Sequence, residues 1–284
     1  MSITHFLDLR AEFRDARRAA AAILPVPYDA TSTWKKGADR GPAAILEAST
    51  QVELYDVESD TEPHLHGIVT LKPLTVDGPP EAMADAVQAR VAGILRQDQL
   101  PVILGGEHSV TIGAVRAAAE AFPELSVLQI DAHADTRESY EGSPCNHACV
   151  MARARELCPI VQVGIRSLDA SERPHLDEER VFWAHEIGDG DRWMERAVSL
   201  LGPQVYVTID VDGFDPSLMP ATGTPEPGGM SWQQVTGLLG AVAASRRVVG
   251  FDVVELLPQP GDHACDFLAA KLVHRFLAMI FAAR

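Results

Sequence analysis

Acidic and imidazole side chains stand at the ends of three short apolar runs. The run Ser126–Ile130 leads into an Asp-Ala-His-Ala-Asp segment, Val205–Ile209 leads into Asp-Val-Asp, and a histidine follows Pro101–Leu104. The side chains concerned are His108, Asp131, His133, Asp135, Asp210 and Asp212. Four carboxylates and two imidazoles carry more charge than one small buried site can hold unless cations neutralise it. The pattern therefore predicts a metal centre, with two ions.

Apolar runs of strand length alternate along the chain with longer segments of helical spacing. Helices are predicted at 81–97, 111–122, 149–157, 192–201, 232–245 and 265–282, with strands between them. Strand and helix in alternation are typical of a mostly parallel sheet that is covered on both faces. Ligands of such sheets bind beyond the carboxyl ends of the strands, where the charged residues stand. The segment from Asp56 to Gly78 lacks periodicity and is predicted to be an irregular surface excursion.

The balance of charges narrows the choice of partners. The chain has 284 residues with 40 acidic and 24 basic side chains, and its formal net charge is -16. Nucleic acids and anionic membranes bind basic surfaces, so neither is an expected partner. A cationic small molecule would be attracted to the protein.

Cysteine usage and the N-terminal segment both predict a cytoplasmic protein. The cysteines Cys145, Cys149, Cys158 and Cys265 have neither zinc-ribbon nor thioredoxin spacing, which indicates a reducing compartment. An arginine pair at 17–18 mimics a twin-arginine signal, but Pro25 and Pro27 break the apolar stretch that follows. That stretch is predicted to be the first strand, and no run approaches the ~18 apolar residues of a membrane span.

The donor set also indicates the metal. It is rich in carboxylate and lacks thiolate, which favours Mn(II), with Co(II), Ni(II), Fe(II) or Zn(II) as substitutes. Two neighbouring ions would lower the pKa of a shared water towards about 7. The small residues Ala132 and Ala134 permit the chain to curl so that the ligands on either side converge on one centre.

The order of these segments resembles the ureohydrolase superfamily, which includes arginases and agmatinases, and agmatinases most of all. The resemblance rests on Gly105–Ser109, Asp131–Asp135, Gly164–Ser167 and Asp210–Pro216, with further matches at Pro27–Asp29, Gly41–Ile45, Gly223–Gly229 and Phe251–Glu255. It covers residues 23 to 280. It implies one ureohydrolase domain over residues 1–284, a three-layer α/β/α sandwich with a mostly parallel central sheet, two Mn(II) ions and a homotrimer or homohexamer.

The resemblance also implies a role for each residue of the site. One ion would be held by His108, Asp131, Asp135 and Asp210, and the other by Asp131, His133, Asp210 and Asp212. His147 would move protons, and Glu255 would hold the guanidinium; with Asp135 these are the expected catalytic residues, and His147 and Glu255 are also expected to bind substrate. Ala148 stands where the family commonly has glycine. Glu107 and Arg166 are expected to hold loops in place, and Asp215 to fix a turn.

The expected reaction is hydrolysis of a guanidino compound to urea and an amine, with agmatine giving putrescine as the first choice. The loop Thr136–Pro144 lacks the Ser/Asn-rich pattern of arginases, and Glu138 or Glu141 would attract a distal amine. Because Arg137 could bind a carboxylate, guanidinobutyrate and other guanidino acids stay alternative substrates, while arginine and formiminoglutamate are less favoured substrates.

Two alternatives of another class stay open on the sequence alone. One is a single-metal deacylase of similar fold, and the other is a non-catalytic metal-binding regulator. The second set of ligands, with His133 and the Asp210/Asp212 pair, argues for two ions and against the deacylase.

Overall fold

Eight parallel strands form one sheet at the centre of the protein. The computed structural model describes residues 4–188 and 190–284. The strands are β1 (Ala21–Val26), β2 (Ile68–Thr70), β3 (Leu100–Gly105), β4 (Leu125–Ile130), β5 (Ile160–Ile165), β6 (Val181–Trp183), β7 (Gln204–Asp210) and β8 (Arg247–Val254). Their order across the sheet is β2-β1-β3-β8-β7-β4-β5-β6, and every neighbouring pair is parallel.

Helices cover both faces of this sheet. They are α1 (Gly41–Ser49), α2 (Pro80–Leu95), α3 (Val110–Ala121), α4 (Val150–Arg155), α5 (Arg192–Ser199), α6 (Trp232–Ser245) and α7 (Ala264–Ala282). Helices α1, α5, α6 and α7 contribute to one hydrophobic core, and α2, α3 and α4 contribute to the other. The predicted three-layer α/β/α sandwich is therefore confirmed, with a sheet that is parallel throughout.

Alternating side chains of each strand enter the two cores. In β1, Ala21 and Ile23 face one core while Ala22 and Leu24 face the other, and all four are fully buried. Burial on both faces explains why these strands appear in the sequence as continuous apolar runs. Burial of a side chain as large as Ile23 or Leu24 contributes about 1.5–3 kcal/mol.

The segment from Asp56 to Gly78 differs from its prediction. It contains the edge strand β2, which pairs with β1, and a 3-10 helix at Pro63–His66. An ion pair between Asp56 and the buried Arg275 of α7 fixes one end of the segment. The three residues of β2 are too few to show a period in the sequence, which is why the prediction was wrong.

No helix in the described ranges combines the length and the apolar character that crossing a membrane requires.

Helices α2 and α3 approach each other closely at one glycine. A Cβ atom on Gly113 would lie 2.2 Å from the carbonyl oxygen of Ala84 in α2. Gly93, also helical, has open space instead, since the nearest atom to its Cβ would be an Arg96 side-chain nitrogen at 3.7 Å.

We therefore expect opposite effects from the same substitution at these two positions. Gly113→Ala should lower the free energy of unfolding by about 1–3 kcal/mol, because the helices must move apart. Gly93→Ala should raise it by about 0.5–1 kcal/mol, because alanine loses less entropy in a helix. Urea denaturation measures both, and equal effects at the two sites would contradict the close packing.

Candidate metal centre

Four adjacent strands bring the charged residues to one edge of the sheet. His108 follows β3 by three residues, Asp131 follows β4 directly, Asp210 ends β7, and Glu255 follows β8 directly. The strands β3, β8, β7 and β4 are consecutive in the sheet. All four residues therefore stand beyond the carboxyl ends of neighbouring strands, the edge at which ligands bind in such folds.

Three carboxylate oxygens surround the Nδ1 atom of His108. This atom lies 3.0 Å from Oδ2 of Asp135, 3.2 Å from Oδ2 of Asp131 and 3.5 Å from Oδ2 of Asp210. It is buried and makes no hydrogen bond to any residue that the structure describes. Ligands about 2.1 Å from one ion in an octahedral arrangement lie about 3.0 Å apart, so the spacing fits a shared cation.

A second group of donors shares one aspartate with the first. Nδ1 of His133 lies 3.0 Å from Oδ2 of Asp212 and 3.7 Å from Oδ1 of Asp131. Asp131 thus belongs to both groups, His108–Asp131–Asp135 and Asp131–His133–Asp212, each compact enough for a metal ion. The arrangement fits two neighbouring cations that share a carboxylate.

Burial and crowding set the protonation of these groups. Burial, with the charge of Asp131 added, raises the pKa of Asp135 to about 6. Burial also raises the pKa of Asp210 well above its ordinary value, together with the charges of Asp212 and Asp131. Burial opposes the charge of His133, but the carboxylates of Asp212 and Asp131 outweigh it and raise its pKa to about 12. Positive charge is therefore favoured among these side chains.

Two residues of the site adopt left-handed backbone conformations. Asp135 has φ 52° and Glu255 has φ 65°, values that few residues other than glycine adopt. The carbonyl of Asp135 accepts hydrogen bonds from the amides of Met151 and Ala152, which turns the chain back after the ligands. The amide of Glu255 donates to the Gly106 carbonyl at 2.7 Å. These bonds hold the two side chains at the site.

Polar residues inside the buried strands orient the ligands, and sequence reasoning missed them. Gln129 donates from Nε2 to Oδ2 of Asp131 at 2.7 Å, and Gln162 donates to Gln129 at 2.6 Å. Outer hydrogen bonds of this kind fix the orientation of metal ligands. The available signal was a glutamine within each of two buried, largely apolar strands, β4 and β5.

The imidazole of His108 is held in the same way. Its Nε2 lies 2.8 Å from Oγ1 of Thr208, and Thr208 donates to Oδ1 of Asp252 at 2.6 Å. Asp252 is fully buried and also accepts hydrogen bonds from Tyr206 and Thr111. The ring therefore cannot rotate without breaking this buried network.

The site opens into a cavity of about 270 Å³. Its lining includes the donors His108, His133, Asp135, Asp210 and Asp212, together with His147 and Glu255. A larger cavity of about 590 Å³ lies beside Pro203 and Arg247, where β7 and β8 begin, and it contains none of these residues. The smaller cavity is therefore the candidate active site, because the metal-binding residues line it.

Glu255 places a carboxyl group at the inner end of this cavity. Its Oε1 accepts a hydrogen bond from the His108 amide at 2.7 Å. Burial raises its pKa well above the ordinary value, and the charge of Glu107 adds to the effect. A cation that bound here would offset both the cost of burying the charge of Glu255 and its repulsion by Glu107.

His147 lies across the cavity on a different loop. Its Nδ1 is 3.1 Å from Oγ1 of Thr31, and its amide donates to the same oxygen at 3.0 Å. Burial lowers the pKa of His147 to about 4, with the charges of His108 and His133 adding to the shift. The ring is therefore neutral near pH 7. Sequence reasoning did not identify Thr31, which follows the Pro27–Asp29 segment by two residues.

The outer end of the cavity departs from expectation. The guanidinium of Arg137 lies over the Tyr140 ring at 4.4 Å, and its Nε is 3.7 Å from a carboxylate oxygen of Glu172. Glu138 pairs with Arg153 and Arg155. Neither Glu138 nor Glu141 lines the cavity, so the expectation that one of them attracts a substrate amine is wrong.

Other side chains stand at the mouth instead. Trp34 lines the cavity while 67% exposed, and the ammonium of Lys35 lies 4.6 Å from the centroid of its ring. Asp169 also lines the mouth, and within the described ranges it forms no ion pair with lysine or arginine. An exposed indole and a carboxylate are both suited to an organic cation.

Arg166 and Asp215 hold loops, as expected. The Arg166 guanidinium donates to the carbonyls of Asp212 at 2.6 Å and Glu226 at 2.8 Å. Asp215 accepts hydrogen bonds from the amides of Ser217 and Gly228. Both residues therefore fix the path of the chain after the second ligand pair.

Comparisons with known proteins agree with this site. Residues 19–279 match the model of the arginase family. The chain is 41% identical over 270 residues to N(1)-aminopropylagmatine ureohydrolase of Synechocystis sp., covering 91% of this chain and 88% of the relative. It is 33% identical to agmatinase of Pyrococcus horikoshii, covering 96% of each. The crystal structure of agmatine ureohydrolase of Thermoplasma volcanium superposes with a TM-score of 0.89 at 31% identity, covering 99% of this chain and 96% of that one.

The fold, the paired donor groups and these matches lead to one conclusion. The chain belongs to the arginase family, as a hydrolase of the agmatinase type that acts on guanidino compounds.

Proposed function

We propose that the protein hydrolyses a guanidine with a cationic polyamine arm, N(1)-aminopropylagmatine or agmatine, to urea and the corresponding polyamine. The observation that carries the proposal is the pair of donor groups that share Asp131 and open into one cavity with His147 and Glu255. Relatives named N(1)-aminopropylagmatine ureohydrolase favour the aminopropyl compound, and relatives named agmatinase or agmatine ureohydrolase favour agmatine.

The six donors would hold two divalent ions, which we propose are Mn(II). His108, Asp131, Asp135 and Asp210 are assigned to one ion, and Asp131, His133, Asp210 and Asp212 to the other. The buried, unbonded Nδ1 of His108 among carboxylate oxygens supports this assignment. Bound ions of this kind supply Lewis acidity, which lowers the pKa of water so that a nucleophile is available near pH 7.

Glu255 is assigned to the guanidinium. A carboxylate that is buried beside Glu107 gains most from a planar cation, which it can bind by paired, charge-assisted hydrogen bonds. One oxygen is already held by the His108 amide, so the carboxylate is fixed before the substrate arrives. This places the reacting carbon beside the metal ligands and keeps it oriented.

His147 and Asp135 are assigned to proton transfer. His147 is neutral near pH 7 and lines the cavity, so it can take up a proton at one ring nitrogen and deliver it to the departing amine. Asp135 lines the cavity 3.0 Å from Nδ1 of His108, where its carboxylate can accept a proton as well as hold an ion.

The outer end of the cavity favours a cationic arm over a carboxylate. Arg137 also lines the cavity, but its guanidinium lies over Tyr140 and faces the carboxylate of Glu172, which offsets its charge. Trp34 and Asp169 line the mouth, where an ammonium group of the substrate would replace Lys35 over the exposed indole and lie near the Asp169 carboxylate. We therefore place guanidinobutyrate and arginine below the polyamine substrates. The single-metal deacylase is disfavoured because His133 and Asp212 form a second donor group with Asp131.

A homotrimer or homohexamer in the cytoplasm stays a prediction, which follows from the family resemblance and from cysteine usage.

Urea release is the direct test of the proposed reaction. With Mn(II) we expect urea from N(1)-aminopropylagmatine and agmatine, at a higher kcat/KM than from arginine or guanidinobutyrate, and no urea after treatment with a chelator. Absence of urea from all four compounds in Mn(II)-, Co(II)- and Zn(II)-loaded protein would rule the proposal out.

Two histidine variants separate metal binding from proton transfer. His133→Ala should lose one of two ions per chain, because it removes a donor of the second group. His147→Ala should keep both ions while kcat falls about 10²–10⁴-fold, the usual contribution of a positioned acid or base. Elemental analysis and steady-state kinetics measure these effects. A full metal content in His133→Ala, or metal loss in His147→Ala, would reverse the assignment.

Trp34 provides a test of the polyamine arm. Trp34→Ala should raise KM for N(1)-aminopropylagmatine by about 2- to 30-fold, the range of a cation–π contact. The KM of Trp34→Phe should lie between those of the wild type and Trp34→Ala, because phenylalanine keeps an aromatic face. Tyr55→Ala is the matched control, since Tyr55 is also exposed but does not line the cavity. A KM change of the same size in both alanine variants would remove Trp34 from the site.

A further inference from the structure

A chain of hydrogen bonds runs from Glu107, the neighbour of His108, through Thr31 to His147. Oγ1 of Thr31 donates to Oε1 of Glu107 at 2.7 Å, and the amide of Thr31 donates to Oε2 at 2.6 Å. The same Oγ1 lies 3.1 Å from Nδ1 of His147 and 3.0 Å from the His147 amide nitrogen. Thr31 is 8% exposed and Glu107 is fully buried, so water cannot easily replace these contacts.

Counting donors assigns the direction of each bond. A threonine hydroxyl has one proton and two acceptor lone pairs. That proton is directed to Glu107, on which the hydroxyl groups of Ser109 and Thr31 and the Thr31 amide all converge as donors. Both lone pairs of Thr31 then remain for His147. The amide of His147 takes one, so Nδ1 must also be a donor and must carry the proton.

We propose that Thr31 is a positioning residue that holds His147 in the Nδ1–H tautomer, so that its Nε2 lone pair is the one available to the cavity. The tautomer follows from the hydrogen bonds alone, while its use in catalysis rests on the proposed function. In the described ranges Nε2 makes no hydrogen bond to protein, although the ring lines the cavity.

The tautomer decides what His147 can do. A neutral imidazole has one donor and one acceptor nitrogen, and the partner of one nitrogen determines the role of the other. With Nδ1–H held by Thr31, Nε2 can accept a proton at the cavity and later return it to a leaving amine. The opposite tautomer would present an N–H to the cavity, and the ring could not accept a proton there.

The first experiment reads the tautomer directly. The full-length protein is labelled with ¹⁵N-histidine, and the spectrum is recorded metal-free and after loading with diamagnetic Zn(II). A His147→Asn sample identifies the His147 signals. We expect Nδ1 to give a protonated, pyrrole-type ¹⁵N shift and Nε2 an unprotonated one near pH 7. A pyrrole-type shift at Nε2 in the wild type overturns the proposal without any Thr31 variant.

The second experiment removes the hydroxyl while keeping the side-chain shape. Thr31→Val should mix the two tautomers and lower kcat at least tenfold, with KM changed less than threefold. Thr31→Ser should restore the Nδ1–H tautomer and recover kcat to within about threefold of wild type. Thr236→Val is the control, because Thr236 is also buried but bonds only within α6, to the Trp232 carbonyl.

The outcomes separate the two proposals. If the wild type releases no urea yet shows the Nδ1–H tautomer, the proposed function fails and the positioning role of Thr31 stands. If the wild type is active and Thr31→Val keeps the same tautomer and kcat, the role of Thr31 is wrong and the function stands. A kcat loss in Thr31→Ser as large as in Thr31→Val would also overturn it, since serine keeps the hydroxyl.

Discussion

Repulsion among buried carboxylates is the constraint on which the active edge of this protein depends. Asp131, Asp135, Asp210 and Asp212 converge within a few ångströms, and Glu255 lies close behind them. Such a cluster destabilises a fold unless cations lie between the carboxylates, whether protons on the two histidines or metal ions. The same need for positive charge raises three pKa values, those of Asp210, Glu255 and His133. Metal binding is therefore coupled to stability as well as to chemistry.

The arrangement of the parallel strands holds these carboxylates together. Four consecutive strands end at one edge, and their cores on both faces fix the strand positions before any ligand is placed. Polar side chains inside those strands then orient the ligands, as Gln129 does for Asp131 and Thr208 for His108. The strained conformations of Asp135 and Glu255 are held by hydrogen bonds to neighbouring segments. Packing energy from the two cores thus supports a site that would repel itself in isolation.

The clustering of charged residues at this edge could be predicted from the sequence because several of them lie close together along the chain. Asp131, His133 and Asp135 lie within five residues at the end of a clear apolar run, so their convergence follows from strand geometry. Thr31, Glu107 and His147 come from three loops far apart in sequence, and only the folded chain brings them together. The edge strand β2 and the ion pair of Glu138 were not foreseen for a related reason, since their partners β1 and Arg153 lie outside the local pattern.

The inner and outer ends of the cavity also differ in whether neighbouring strands or separate loops build them. Its inner end is built by strand termini and leaves little freedom, because moving Asp131 would disturb both donor groups and moving Asp210 would disturb the surroundings of His108. Its outer end is built by side chains from separate loops, including Trp34, Tyr140 and Asp169. Loops tolerate substitution better than the strands that carry them. Under the proposed function, a change at the mouth would therefore alter which polyamine arm is accepted, while Glu255 and His147 would keep their assigned roles at the guanidinium.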